Sequence, residues 1–331
     1  MEKLTSDHRV TLESFESLIS YWLKPPYPLR WDCIFVLPTW LEIWWKEFGA
    51  PGDLYLCAVR EAGAVIGIAP LLLRDGEAFF IGSDDVCDYL DFVVAPGREH
   101  DFFNILLDDL SGKGLRLLNL RPLRPNSTAL TNLVDIARGR GYEVSCEAED
   151  VSLELDLPPT WDEYLGMLNQ KQRHEVRRKL RRMREAGEVN YRIIEDTRDV
   201  PDALDIFLEL FRKGRTEKIF YMTAQRESFF RSLAKAMAQA KLLRFGILEL
   251  EALPIAVVMC FDYNRRVYLY NSGYDPRYGS LSVGVISKIF SIKESIERGR
   301  GTFDFLKGAE DYKYRLGGKE IPLYGCQIVL K

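Results

Sequence analysis

The most informative segment of the chain is residues 268–315, YLYNSGYDPRYGSLSVGVISKIFSIKESIERGRGTFDFLKGAEDYKYR. Tyr268 and Tyr270 lie in a β-prone run at its start. Asp275-Pro276 and Gly279-Ser280 then interrupt this run, because Pro fixes φ and Gly opens the left-handed region. The pattern predicts a strand followed by a turn of small residues.

A helix and a second strand follow this turn. Ser282 can cap the helix, and its apolar residues recur at helical spacing: Val285, Ile286, Ile289, Phe290, Ile292 and Ile296. We therefore expect a loop and helix over residues 279–298 and a strand over 302–306. Backbone N–H groups at such a helix start point at one place, which suits a phosphate or pyrophosphate. The candidate donor-binding residues are Ser280, Leu281, Ser282, Val283 and Gly284. An ordinary loop before a capped helix is the alternative interpretation.

Three segments occur in a fixed order in this half: YNSGYDPRYGSLSVGVI, ERG and FDFLKGAEDYKYRLG. In that order they resemble the C-terminal half of GNAT-like acyltransferases of the CelD/BcsL family, distant relatives of the FemABX aminoacyl transferases. The resemblance extends to PTWLEIWWKEFG near residue 40 and GSDDVCDYLDF near residue 85. Relatives often carry Pro before the loop glycine, where this chain has Val283. The resemblance implies an α/β (α+β) fold of tandem GNAT-like domains, each a mixed, mostly antiparallel sheet flanked by helices.

The chain also repeats a pattern of strands at half its length. LYLCAVREAGAVIGIAPLLLRDGEAFFIGS begins at Leu54, and LRFGILELEALPIAVVMCFDYNRRVYLYNSG begins at Leu243. Each segment reads as three strands joined by two turns, which predicts two copies of one domain. Any two antiparallel meanders share such a pattern, so coincidence is the alternative. Pro158-Pro159 suggests a linker, and we place an acceptor-side domain at 1–157 and a donor-side domain at 158–331.

Composition fits a two-domain enzyme of the cytosol. The chain has 331 residues, 47% hydrophobic residues and a net charge of −4, which argues against a general DNA-binding protein. No apolar run reaches the length of a transmembrane helix, and the N-terminal residues lack a secretory pattern. The expected partner is a small-molecule or envelope-precursor amine.

Cysteine and histidine usage argues against metal and thiol chemistry. The six cysteines and three histidines are scattered without zinc-site spacing. Most of the cysteines lie in apolar runs and are expected to be small core residues, with a catalytic thiol as the less favoured alternative. A hydrolase with a base histidine is not supported, and no metal is expected.

A basic helix is predicted over residues 168–185, within LNQKQRHEVRRKLRRMREAG. Its bases far outnumber its acids, and mutual repulsion favours a role in binding an anion, although a solvated face is the usual reason for a charge run. The candidate anions are the phosphates of CoA, a nucleotide-sugar diphosphate and the backbone of a tRNA. Lys171, Arg173 and Arg177 open this helix, and Arg215 belongs to a second basic group.

The candidate reactive loop supplies the groups that acyl transfer to an amine requires. The amine must be neutral, the carbonyl oxygen must be stabilised, and the leaving group must be stabilised or protonated. On a strand, Asp304 points away from Phe303 and Phe305, so its carboxylate is expected in the cleft. The catalytic candidates are Asp304, Lys307, Glu310, Tyr312 and Lys313, and an exposed polar loop is the alternative.

A second candidate group lies in the first half of the chain. Asp88, Tyr89 and Asp91 match DYLDF residues of the resembling relatives, and we expect them to contact the acceptor, together with Tyr270.

These observations lead to one main hypothesis and two alternatives. The first is an N-acyltransferase that uses acetyl-CoA or another acyl-CoA to acylate an amine, such as an amino sugar or an envelope precursor. The second is a FemABX-like transferase that takes an aminoacyl group from a charged tRNA. The third is a non-catalytic binding protein that retains the fold.

Overall fold

A computed structural model describes residues 8–23, 28–49, 52–83, 85–214 and 220–330 of the chain. Arg215, one of the predicted anion-binding residues, lies outside these ranges. The chain divides into two compact units, one of residues 1–150 with 321–331 and one of residues 151–320. Among the described residues, no helix is both long and apolar enough to span a bilayer.

The first unit is built on a mostly antiparallel sheet. Its strands are β1 (His8–Leu12), β2 (Asp53–Glu61), β3 (Ala64–Arg74), β4 (Glu77–Phe80), β5 (Val93–Val94), β6 (Leu117–Leu123), the first part of β7 (Glu143–Asp156) and most of β13 (Lys319–Val329). Strands β1 to β4 pair antiparallel in sequence order, and β4 then pairs parallel with β6. The helices are α1 (Phe15–Leu23), α2 (Pro38–Phe48), α3 (Glu99–Gly112) and α4 (Val134–Gly139), and a π-helical segment, Ala129–Leu133, precedes α4.

Aromatic side chains fill the core of this unit. Trp40 and Trp44 of α2 are buried. Phe92 stacks edge-to-face against both Phe102 and Phe103 of α3, an arrangement that adds to the stabilisation from burial alone.

The second unit contains the rest of β7 with β8 (Val189–Ile194), β9 (Leu243–Leu250), β10 (Leu253–Tyr263), β11 (Arg266–Tyr274) and β12 (Thr302–Lys307). Strands β8 to β11 pair antiparallel, β11 pairs parallel with β12, and β12 pairs antiparallel with β7. The helices are α5 (Trp161–Met167), α6 (Gln170–Glu185), α7 (Val200–Lys213), α8 (Ala224–Gln239), α9 (Val283–Glu297) and α10 (Asp311–Arg315).

Helices cover both faces of this second sheet. On one face, Phe303 and Phe305 of β12 share an apolar cluster with Ile289 and Ile292 of α9 and Val176 of α6. On the other face, Phe207 of α7 stacks with Phe230 of α8 and packs at a tilt against Phe245 of β9. The alternation of side chains along each strand explains how one strand serves both clusters.

The predicted repeat is present in the topology. The meander β2–β3–β4 matches β9–β10–β11, and each meander continues through a helix into a strand that pairs parallel with its third strand. The last strand of each repeat, however, pairs with the opposite repeat, β7 with β12 and β13 with β6. For this reason the boundary between the two units falls after Asp150, and residues 321–331 belong to the first unit. The sequence analysis placed the boundary after residue 157.

The cysteines are mostly core residues, as expected. Cys33, Cys57, Cys87 and Cys260 are buried free thiols, and burial raises the pKa of Cys260 to about 12. A thiol with such a pKa remains protonated and is a poor nucleophile at neutral pH. Cys146 and Cys326 form a disulfide between β7 and β13, which the sequence analysis did not predict because these residues are far apart along the chain.

Candidate functional site

The candidate site begins where two parallel strands separate. β11 and β12 pair only over Arg266–Tyr268 and Thr302–Asp304. β11 then continues to Tyr274 and β12 to Lys307, and within the described chain these later residues do not pair with each other. Strands that separate in this way leave backbone N–H groups available to a bound molecule.

Helix α9 starts at the end of this opening. Ser282 precedes it in the left-handed conformation, with φ 60° and ψ 37°. The carbonyl of Ser282 accepts the amides of Val285 and Ile286, so the amides of Val283 and Gly284 precede the first helical hydrogen bond. The first turn of α9 contains no acidic residue, and its positive end is therefore available to an anion.

The five predicted donor-binding residues lie together at this helix start, but they differ in exposure. Ser280 is exposed, Leu281, Ser282 and Gly284 are half-buried, and Val283 is buried. A β-carbon at position 284 would lie 3.0 Å from the ring of Tyr274, so glycine allows the helix to approach β11 closely.

Lys179 of α6 brings a second positive charge to the same place. Its ammonium donates a hydrogen bond to Ser282 Oγ at 3.0 Å. Burial lowers the pKa of this lysine, and the carboxylate of Glu175, 3.9 Å away, opposes that shift. The sequence analysis named other bases of α6, because only the fold shows which side of that helix faces α9.

Asp304 lies on the face of the sheet opposite α9. Its side chain is fully buried, and its Oδ1 accepts the amide of Leu306 at 2.8 Å and the hydroxyl of Ser152 at 3.3 Å. Arg266 lies 3.5 Å from Oδ2. These partners give the carboxylate a structural role at the bend of β12, where Leu306 has φ 62°. The position differs from the cleft that the sequence analysis predicted.

Tyr312 lies on the α9 side of the sheet, beside the end of β12. Its ring is 6.4 Å from that of Phe305, and it packs against the apolar cluster under α9. Burial, with a smaller contribution from Glu310, raises the pKa of the phenol. Tyr312 therefore remains a neutral hydrogen-bond donor at physiological pH.

Lys313 holds the loop after β12. Its ammonium donates to the carbonyls of Leu306 and Gly308 at 3.0 Å each and of Lys307 at 2.6 Å, and it pairs with Glu310 at 2.8 Å. Buried carbonyls need such partners. These contacts indicate that Lys313 and Glu310 shape the loop, while Lys307 is half-buried at the end of β12.

Lys288 is a buried base that the sequence analysis missed, because it looks like an ordinary polar residue of an amphipathic helix. Its ammonium donates to Ser272 Oγ of β11 and to the carbonyl of Gly284, each at 2.9 Å. It also lies 5.1 Å from the ring centroid of Tyr312. Lys288 thus connects the β11 side of the opening with Tyr312.

The predicted bases of α6 lie in the first half of the helix. Lys171 and Arg177 are exposed, and Arg173 is half-buried and donates to the carbonyl of Leu168 at 3.3 Å. An open depression of about 540 Å³ lies here, lined by Asn169, Gln170, Lys171, His174 and Glu175. The residues that line this depression include none from the start of α9, and they carry both positive and negative charges.

Two of the three predicted residues of the first unit, Tyr89 and Asp91, have structural partners within that unit. The ring of Tyr89 contacts Phe35 and the guanidinium of Arg124. Asp91 accepts the amide and hydroxyl of Thr128 at 2.7 Å each and the amide of Ala129 at 3.2 Å, so it caps the helical segment that follows. Asp88 is half-buried.

Tyr270 is likewise a packing residue. Its ring lies against Phe230 and Phe261, with centroids 5.6 Å and 5.2 Å away. Within the described ranges, no group of three or more His, Cys, Asp or Glu side chains is placed to ligate a metal ion.

Comparisons with known proteins support the fold. Residues 170–314 match the acetyltransferase (GNAT) domain family. No curated protein matches the chain. Among solved structures, FemX is similar over 96% of each chain, with a TM-score of 0.65 and 12% identity.

Two further structures share the fold. A conserved protein of unknown function from Bacteroides thetaiotaomicron covers 97% of this chain and 99% of its own, with a TM-score of 0.59 and 13% identity. The C-terminal domain of a putative lysylphosphatidylglycerol synthetase from Agrobacterium fabrum covers 85% and 84%, with a TM-score of 0.56 and 12% identity. The assignment to the CelD/BcsL family stays a prediction. The chain has a tandem GNAT-like fold, and residues 170–314 of it match the acetyltransferase (GNAT) domain.

Proposed function

We propose that the chain is an N-acyltransferase that binds an acyl-CoA at the start of α9 and transfers the acyl group to an amine. The observation that carries this proposal is the ammonium of Lys179, 3.0 Å from Ser282 Oγ. It places a positive charge beside the positive end of a helix that has no acid in its first turn. Two like charges in contact are unfavourable, and a bound phosphate would stabilise both.

In this proposal the acyl chain follows the opening between β11 and β12 from the start of α9, and Tyr312 lies beside the end of β12. In the proposed reaction the neutral amine attacks the thioester carbonyl, a C–N bond forms and the C–S bond breaks. The nitrogen loses one proton to water, and the leaving CoA thiolate takes one up, so that the products are an amide and free CoA. An unpaired strand amide can donate to the carbonyl oxygen as it becomes anionic. The neutral phenol of Tyr312 can donate a hydrogen bond to the leaving sulfur.

The test is the binding of CoA to wild-type protein and to two variants of α6. CoA should raise the Tm of the wild type, because a ligand of the native state stabilises it. Lys179→Met should weaken CoA binding about tenfold or more, the loss of roughly one phosphate contact. Arg184→Met removes an equal charge from the exposed side of the same helix and should leave binding unchanged. Equal affinities for all three proteins would contradict the proposed site.

A second candidate is transfer of an aminoacyl group from a charged tRNA. The similarity to FemX over 96% of each chain favours it. A tRNA donor would bind with a steep dependence on salt, because phosphate contacts release counterions. If tRNA binds in this way and CoA produces no change in Tm, this second function replaces the first. If neither donor binds, the non-catalytic interpretation is favoured.

A further inference from the structure

The outward face of α6 has a dense positive charge. At 100° per residue, one arc of about 160° contains six bases, namely Lys171, Arg177, Arg178, Arg181, Arg182 and Arg184. All are exposed except the half-buried Arg178. The helix has 16 residues and is about 24 Å long, so the charges form a continuous stripe in a chain whose net charge is −4.

Most of this charge is not neutralised within the protein. Arg178 pairs with Glu175 at 2.8 Å, and Arg181 lies 3.7 Å from Glu185. Lys171, Arg177, Arg182 and Arg184 form no ion pair with any described residue. Repulsion among neighbouring bases destabilises a helix, and a polyanionic partner would relieve it.

The shape of the stripe favours a flat partner. The opposite side of α6 is fixed in the protein, because Val176 and Met183 are buried in two apolar clusters. The helix therefore presents one face and cannot enter a narrow groove, such as the major groove of an RNA duplex. The exposed arc contains no Phe, Tyr or Trp, and His174 is its single ring, so it offers little of the stacking surface that single-stranded nucleic acids use.

We infer that this face of α6 docks on the surface of an anionic phospholipid bilayer. Guanidinium groups match phosphate oxygens with two hydrogen bonds, and each base near such a surface adds to the attraction. The apolar side of α6 is used in the core, so the helix adsorbs by charge and does not insert. The inference stands independently of the identity of the acyl donor.

The test is co-sedimentation of the full chain with vesicles of phosphatidylcholine alone and of phosphatidylcholine with about 30% phosphatidylglycerol. The wild type should bind only the anionic vesicles, and raised salt should release it because ions screen the attraction. Replacing Lys171, Arg177, Arg182 and Arg184 with Gln should reduce binding by more than about tenfold. A matched variant replaces four exposed bases elsewhere, Arg9, Arg30, Arg138 and Lys235, with Gln, and it should bind as the wild type does.

Three results would overturn the inference. The wild type could fail to bind anionic vesicles, the two quadruple variants could lose binding equally, or a mixed-sequence RNA could bind while vesicles do not. Circular dichroism and Tm of each variant establish that it is folded, and the surface position of all eight residues makes a large change in stability unexpected.

Discussion

The two halves of the chain follow the same order of strands and helices, but they fix the segment after the second parallel strand with groups of opposite charge. In the first half the carboxylate of Asp91 accepts the amides that begin the segment at Thr128 and Ala129. In the second half the ammonium of Lys313 donates to three consecutive carbonyls after β12. Each half thus satisfies buried backbone groups with one side chain, as a low-dielectric interior requires.

The helix that connects the two parallel strands of each half, α3 in the first and α9 in the second, also differs in the charges at its start. The first turn of α3 contains two acids, Glu99 and Asp101, and these complement the helix dipole from within the chain. The first turn of α9 contains none, and Lys179 lies against the residue before it. The dipole of α3 is thus complemented by acids of its own first turn, whereas that of α9 is not, and the proposed anion site depends on this difference.

The largest effect is expected at Lys313. Lys313→Met keeps the length of the side chain but leaves three carbonyls without their donor. Each buried unsatisfied group costs about 1–3 kcal/mol, so the free energy of unfolding should fall by about 3 kcal/mol or more. Urea denaturation measures this change. Lys319→Met is the control, because Lys319 is exposed and pairs with Asp156 at 3.5 Å, a contact worth less than about 1 kcal/mol. Similar losses in both variants would show that the loop does not depend on the buried ammonium.

Asp91 should produce a distinct dependence of stability on pH. Burial raises the pKa of Asp91 from 3.8 to about 6, although Thr128 donates to it. The folded protein therefore binds the Asp91 proton more tightly than the unfolded chain does, and this proton stabilises the fold. The stabilisation is complete below pH 3.8 and is lost as the pH rises through 6. The shift corresponds to roughly 3 kcal/mol at most.

The variant Asp91→Asn isolates this contribution, because the effects of all other carboxylates on the pH dependence of stability are the same in the two proteins and cancel in the difference. The wild type should lose stability relative to the variant as pH rises from 4 to 6.5, as measured by urea denaturation at each pH. Parallel curves for the two proteins would mean that the carboxylate titrates at its ordinary pKa.

The sequence predicted the fold better than the site, for physical reasons. Periodicity and turn residues locate α9, the meander before it and β12, because these signals are local. The pairing of β13 with β6 depends on residues far apart in the chain, and no local pattern encodes it.

The roles of the candidate site residues likewise depend on contacts that no local sequence pattern encodes. Residue type alone made Asp304 and Lys313 look reactive, but their partners, Ser152 and three backbone carbonyls, are visible only in the fold. Lys179 and Lys288 were missed because a base on a helix is usually solvated. Their direction depends on what packs beside that helix.

The smallest effect is expected from a variant that gives the start of α9 an acid, as the first turn of α3 has. Ser282→Asp places a carboxylate between the ammonium of Lys179 and the start of the helix, which should raise the free energy of unfolding by about 0.5–1 kcal/mol. The same carboxylate repels a phosphate, so the affinity for CoA should fall about tenfold, or 1.4 kcal/mol. Calorimetry and urea denaturation measure the two quantities.

Ser282→Asn is the matched control, because asparagine has the same shape without the charge and tolerates the left-handed conformation of this residue. It should leave affinity within about threefold, roughly 0.6 kcal/mol. Opposite changes in stability and affinity for the aspartate variant alone are not expected from a local distortion, which would lower both. If Ser282→Asp lowers stability and leaves CoA binding intact, the contrast between the two helix starts is a feature of folding and carries no ligand.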